Sequence, residues 1–359
     1  MAQKPDTDIL ETWDAGGADL AALQRALRGV VGFAGVGAGD LEPMRAKGLI
    51  HAHVRIQGEG AVLRVPRLSS FGLSPSDNLA YQATCFSRAA ASGHVPTLIG
   101  VIPPQEDISW GALIISEIVG GTPPVPDSLP AIARALAAIH ALPVPKAVSR
   151  APIPSHDNPV AATLKVIEAQ AQFLGDAGLP PAALAQIEDE VARARAFAAD
   201  MVGADMPVTL VGTDTHPGNF MARSDGSAVF VDLEKMLYGA PAIDLAHATV
   251  YTSTMWDADV ATALSGEEVA RFYSAYFDAM PPDLADRIRP WCSPLRRFTW
   301  LRTTTWCAKW RVESRDGAAW SAAQHDPAYI KSVRARVADY FNPSTIEAIR
   351  AGFDTGDGA

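Results

Sequence analysis

The sequence predicts an α+β protein with a small β-rich N-terminal portion and a larger, mainly helical C-terminal portion, and three observations predict it. Two strand-like segments near the N-terminus, GLIHAHVRIQ and AVLRVPR, are separated by Gly58-Glu59-Gly60 and read as a hairpin. Helical apolar spacing recurs in DLAALQRALRGVVG, LPAIARALAAIHAL and RFTWLRTTTWCAKWRVE. With 359 residues, 48% of them apolar and 19% charged, the chain can bury a large core, and two lobes fit that length better than one.

Taken in order, Asp19 to Gly32 forms the first helix, and Lys47 to Arg67 then changes to strands. NLAYQATCFSRAAASG is a helix ending at Gly-His-Val-Pro, and ALIISEIVGGTPP is a buried strand running into a Gly/Pro-rich connector. LPAIARALAAIHAL is a core helix of the second portion, with His140 as a packed or capped helix-end residue. Ala161 to Ala199 is helical and Ala-rich, PVTLV is a strand, and the region from Glu267 onward returns to helices. No internal repeat is present.

Composition excludes several classes. No run of about eighteen apolar residues occurs, and the start MAQKPDTDILETWD lacks the basic and apolar regions of a signal peptide, so a cytoplasmic protein is expected. Cys85, Cys292 and Cys307 are odd in number and far apart, which argues against a disulfide framework or a zinc site and for buried thiols. A formal net charge of −10 disfavours nucleic acid or an anionic membrane as partner and mildly favours a cationic small molecule.

The most informative stretch is Leu210 to Ala246, LVGTDTHPGNFMARSDGSAVFVDLEKMLYGAPAIDLA. FMARS and AVFVD flank Asp225-Gly226, a dipeptide that favours a two-residue hairpin loop. With that loop Ser224 faces Ser227, and equal steps outward set Asn219 opposite Asp232, with Cα atoms roughly 4.5 to 5.5 Å apart. An amide oxygen and a carboxylate sharing one face suit Mg²⁺, which takes few protein oxygens and completes its shell with water and phosphate. Asp214, five residues before Asn219 and just after an apolar strand, is placed to orient a hydroxyl and take its proton. The plain alternative is that these Asp and Asn residues serve only the turn backbone.

TDTHPGNF followed by VFVDLEKMLYGAPAIDLA resembles the catalytic and metal-binding segments of the aminoglycoside phosphotransferase and choline kinase superfamily, small-molecule relatives of the protein kinases. The resemblance implies a protein-kinase-like bilobal fold, with residues 1–117 as the N-terminal lobe and 118–359 as the helical C-terminal lobe. It implies Asp214 as catalytic base, Asn219 and Asp232 as Mg²⁺ ligands, and Asp244 as a carboxylate bracing the catalytic loop. Asp244 also precedes LAHATVY, where it could simply cap a helix. The His-Gly pair that usually precedes the catalytic Asp reads Gly212-Thr213 here, and His216 is read as a loop-supporting group.

Elsewhere the resemblance implies Arg64 as the basic strand residue on the nucleotide phosphates, the plain alternative being an exposed strand Arg. It implies Gln82 at the place of the acid that pairs with that base, able to hydrogen-bond Arg64 but not to neutralise it. Glu106 and Glu117 are the other acids nearby. Ser116, Glu117, Ile118 and Val119 form the hinge against the adenine, and a turn near Gly48 is a candidate phosphate-covering loop. Trp306 and Trp310, at i and i+4, form an aromatic helix face that reads as core, or as an acceptor pocket together with Trp256 and Asp257. The expected function is ATP- and Mg²⁺-dependent transfer of a phosphoryl group to a hydroxyl of a small molecule, with GTP as a second possible donor. A nucleotide-binding pseudokinase is the alternative, motivated by Gln82 and Gly212-Thr213.

Overall fold

A computed structural model of the chain describes residues 19–44, 50–315 and 327–354. The chain divides into two compact units, one comprising Met1–Val119 with Ala151–Ile153 and Leu233–Lys235, the other Gly120–Arg150, Pro154–Asp232 and Met236–Ala359.

The first unit is built on a five-stranded antiparallel sheet of β1 (Leu41–Pro43), β2 (His51–Ile56), β3 (Ala61–Pro66), β4 (Leu98–Ile102) and β5 (Ala112–Ser116), in the order β1-β2-β3-β5-β4. The predicted β2–β3 hairpin is present, with Ile56 facing Ala61 and His53 facing Arg64. Its loop runs over residues 57–60, and Gly58 and Gly60 there adopt φ of 81° and 59°, which only glycine takes without strain. Helix α1 (Leu20–Leu27) starts where Asp19 accepts the Ala22 N–H at 2.9 Å and buries Ala22, Leu23 and Leu27 against β2, β3 and β5. It is shorter than the spacing predicts, because the chain passes through Gly29 into turns and reaches φ 90° at Gly32. Helix α2 (Pro75–Ala89) is capped by Ser74, whose hydroxyl accepts from Asp77 N. The turn near Gly48 lies outside the described residues.

The second unit is mainly helical: α3 (Leu129–His140), α4 (Pro159–Ala171), α5 (Pro181–Asp200), α6 (Pro241–His247), α7 (Tyr251–Thr254), α8 (Gly266–Ala279), α9 (Pro282–Glu313), α10 (Pro327–Tyr340) and α11 (Pro343–Asp354). The single Ala-rich helical segment expected from 161 to 199 is two helices, separated where Gly178 takes φ 62° and Pro180-Pro181 opens the next. Two short antiparallel ladders accompany the helices, β6 (Thr209–Val211) with β9 (Leu237–Gly239), and β7 (Phe220–Ala222) with β8 (Ala228–Phe230).

Helix α9 organises this unit, packing against α4 and α6. It contains Pro290 and Pro294, each of which removes one ladder donor, and the hydroxyls of Thr299, Thr304 and Thr305 bond back to carbonyls four residues earlier at 2.8 to 2.9 Å. Glu190 of α5, 2% exposed, accepts from Arg297 of α9 at 2.7 Å and Arg350 of α11 at 2.9 Å, tying three helices through one carboxylate. All three cysteines are free and buried, and burial pushes the Cys85 and Cys292 thiols up to about 12 and that of Cys307 higher still. No helix among the described residues is long and apolar enough to cross a membrane.

Candidate active site

The loop that follows β6 is held from below. Asp244 is fully buried in the first turn of α6 and does not cap it, since Ala240 occupies the N-cap. Its carboxylate instead accepts the N–H groups of Gly212 at 2.6 Å and Thr213 at 2.7 Å, while its backbone carbonyl accepts the Thr215 hydroxyl at 2.7 Å. Two consecutive N–H groups converge on one carboxylate because Thr213 takes φ 60°, a conformation that disfavours a β-branched residue. Gly212 is required by crowding, for a Cβ there would lie 2.7 Å from Thr215 Cγ2 and 2.9 Å from the Phe230 ring.

A third donor reaches Asp244 from α3. His140, fully buried, contacts the carboxylate through Nε2 at 3.0 Å and the Tyr276 hydroxyl through Nδ1 at 2.9 Å. Burial holds Tyr276 well above the usual phenol range, so its O–H is retained, and a carboxylate facing Nε2 accepts from its N–H. The sequence presents His140 only as a helix-end residue; no local pattern signals that it braces a loop more than 70 positions away.

The brace leaves Asp214 half-buried at the loop's crest. Asn219 closes the loop by donating its amide to the Asp214 carbonyl at 2.7 Å, which turns its own Oδ1 away from that bond and leaves a hard oxygen for a cation. His216 lies at the start of the Pro217–Asn219 turn, and its carbonyl accepts the Asn219 N–H at 2.9 Å, a supporting position.

The hairpin that carries Asn219 differs from the predicted register by one residue. Phe220 pairs with Phe230 and Ala222 with Ala228, and the Val231 N–H donates to the Asn219 carbonyl at 3.0 Å, so Asn219 faces Val231 and not Asp232. The loop holds three residues, 224–226, because Gly226 adopts φ 80° and donates to Arg223 O, while Asp225 Oδ1 accepts the Ser227 N–H at 2.8 Å. Asp232 therefore follows the residue opposite Asn219, half-buried at the end of the same ladder.

Around this loop stand residues from the turn after α7 and from α9. Asp257 packs on the Pro217–Asn219 turn, where a Cβ on Gly218 would come within 2.7 Å of Asp257 Cβ. Trp256 meets Trp306 of α9 edge to face, ring centres 5.6 Å apart. Trp310 is only 5% exposed and is core, as its helix face suggests. Two ionisable groups that the sequence does not single out lie within electrostatic reach of both Asp214 and Asp244: Arg302, half-buried one turn before Trp306, and His247 at the end of α6. Burial first, and then Arg302, push His247 down to about 4. Its Nδ1 meets Ser253 Oγ at 3.2 Å.

In the first unit Arg64 is buried at 3% exposure, with Nη1 3.4 Å from His53 Nε2. Gln82 does not bond it. The Gln82 amide oxygen instead lies 3.0 Å from His51 Nε2, and His51 Nδ1 lies 3.2 Å from Glu234, which also accepts the Ser70 hydroxyl at 3.1 Å. Burial, followed by the Arg64 charge, holds His51 well below the usual imidazole range, so it is a neutral link between amide and carboxylate. Glu106 is exposed, and Glu117 pairs with Arg55 at 2.7 Å. The Ser116 hydroxyl accepts from Thr97 N at 2.9 Å, and the Glu117 N–H is committed to Gly60 O at 2.7 Å, which leaves Ile118 and the 84%-exposed Val119 with the fewest sheet commitments of the four residues expected to form a hinge.

Comparison with known proteins adds three findings. A family model described as the phosphotransferase enzyme family matches residues 44–291. No curated protein matches in sequence. Solved structures match at low identity: an aminoglycoside phosphotransferase, so described provisionally, from Ralstonia eutropha (TM-score 0.60, 14% identity, 93% of this chain and 98% of that one); ethanolamine kinase from Plasmodium vivax (0.59, 13%, 94% and 94%); and a choline/ethanolamine kinase family protein from Mesorhizobium loti (0.57, 17%, 92% and 99%). The fold is thus the protein-kinase-like fold of these enzymes.

Proposed function

The chain belongs to the phosphotransferase enzyme family, and from that premise we propose that it is a small-molecule kinase, moving the γ-phosphoryl group of a nucleoside triphosphate to a hydroxyl. The observation that carries this reading is the braced loop, in which Asp244 fixes Gly212 and Thr213 and Asn219 locks onto the carbonyl of Asp214. Such a loop sets a carboxylate in one position and holds it there without reorganisation, which is what positioning catalysis needs.

Asp214 orients the acceptor hydroxyl and takes its proton as the new P–O bond forms and the bridging P–O bond to the diphosphate breaks. The oxygens of Asn219 and Asp232 suit Mg²⁺ in kind and number, and a bound Mg²⁺ supplies charge neutralisation for the phosphates. Arg64 is assigned to the nucleotide phosphates and Ser116 to Val119 to the adenine. Gln82 acts in this scheme by holding His51 and not by touching the nucleotide. Trp256, Asp257 and Trp306 shape the acceptor side, and Trp310 supports them from the core. Aminoglycoside phosphotransferases of the same fold carry ADP in one structure and GDP in another, so both triphosphates are tested.

Thermal stabilisation by ATP and GTP with and without Mg²⁺, in the intact protein and in Asp232→Ala, tests the site. A rise in melting temperature that needs both the metal and Asp232 supports it. No rise with either nucleotide at millimolar concentration rejects the kinase reading, and binding without transfer to any acceptor turns it into the pseudokinase one.

A further inference from the structure

The guanidinium of Arg302 makes no hydrogen bond or salt bridge to any described residue, although the residue is half-buried and within electrostatic reach of two carboxylates. Neither carboxylate pairs with it. Asp244 spends both oxygens on Gly212, Thr213 and His140, and Asp214 is the assigned base. A guanidinium offers five donors in a planar fork, and one drawn partly out of water without an acceptor is a poor resting arrangement. The fork matches the two oxygens of a carboxylate or phosphate.

The surroundings agree. Trp306 lies at i+4 from Arg302 on the same face of α9, and its partner Trp256 has a second guanidinium, Arg336, 5.5 Å over its ring. One face of that indole is thus already occupied by a cation. Asp257 is engaged locally, its Oδ1 accepting the Asp259 N–H at 2.9 Å. His247, the remaining neighbour, is kept uncharged by burial, and its Nε2 is buried without a partner among the described residues. The acceptor side therefore carries two guanidiniums, the Asp257 carboxylate with one oxygen turned to the local backbone, one neutral imidazole nitrogen in want of a hydrogen bond, and an aromatic wall.

We propose that the acceptor bears an oxyanion, a carboxylate or a phosphate, beside its reactive hydroxyl, and that Arg302 is the residue that holds it. This rests on the phosphotransferase reading and goes beyond it, because it separates this enzyme from one that selects an amine. The net charge of −10 points toward cations, but a diffuse surface charge is screened within about 8 to 10 Å, whereas Arg302 acts at contact distance.

Calorimetric titration with malonate, inorganic phosphate and tetramethylammonium, each with the nucleotide site saturated by Mg-ADP, tests the proposal in the wild type, Arg302→Gln and Arg302→Lys. Malonate, phosphate or both should bind, weakened about tenfold or more by Arg302→Gln and less by Arg302→Lys, which keeps the charge but loses the fork. Whichever anion binds tighter identifies the acceptor's group. Tetramethylammonium binding in preference to both anions, anion binding unchanged in Arg302→Gln, or no anion binding at about 50 mM (some 1.8 kcal/mol by the same relation) overturns the assignment. Failure of Mg-ADP to bind at all instead counts against the kinase reading, which keeps the two failures apart.

Discussion

At the scale of single residues, Asp244 shows how one buried carboxylate substitutes for a missing motif. The family's His-Gly pair is absent at Gly212-Thr213, yet an imidazole still reaches the carboxylate that braces the loop, delivered by His140 of α3. Two oxygens serve three donors. Asp244→Asn keeps the volume but replaces one oxygen by an NH₂ that must face an N–H, so it should cost about 3 kcal/mol in urea unfolding and reduce turnover together with it. A variant with unchanged stability would mean that the brace is not rigid. His247 gives a second residue-level expectation. Its folded pKa of about 4 lies below the ordinary imidazole value, so its stabilising contribution is full above pH 6.5 and is lost as pH falls from there toward 4. Stability should drop across that window by about 3 kcal/mol from this group, and His247→Gln should flatten the slope; an identical pH profile in the variant would remove His247 as the cause.

At the scale of elements, two contacts decide whether the pieces stay in register. The Pro217–Asn219 turn is pressed on Asp257 at Gly218, where added side-chain atoms have no room. Gly218→Ala should shift Asn219, with nucleotide stabilisation becoming less dependent on Mg²⁺ while the far-ultraviolet circular dichroism stays the same. Glu190 joins α5, α9 and α11, and removing it leaves two guanidiniums facing one another. Glu190→Ala should lower stability by about 3 kcal/mol, the low end for a broken buried pair because both arginines keep some access to water. Unfolding midpoints of this variant and of Glu190→Gln, which keeps part of the hydrogen bonding, measure that cost.

At the scale of the whole molecule, the sequence carries the fold class and the identity of the loop well and the partners of its residues poorly. Periodicity located the β2–β3 hairpin, α3 and α9 because burying one face of each requires it. D-x-x-x-x-N located Asp214 and Asn219 because both lie on one short loop. The register beyond Gly226 was not legible, since Asp-Gly suits a two-residue loop and, with glycine in the left-handed region, a three-residue one equally well. His140 and Glu234 were missed for another reason: their partners lie 104 and 183 positions away, and no local pattern encodes such pairings. Arg64 and Gln82 were placed on the right elements but with the wrong bond between them, because His51 competes for the amide. The three cysteines hold one further consequence. Thiols buried and pushed to about 12 or above present almost no thiolate to a neutral-pH reagent. The native chain is therefore silent toward maleimides, so a fluorophore attached at one engineered surface cysteine would report from a single known position, with the wild-type thiols left in place.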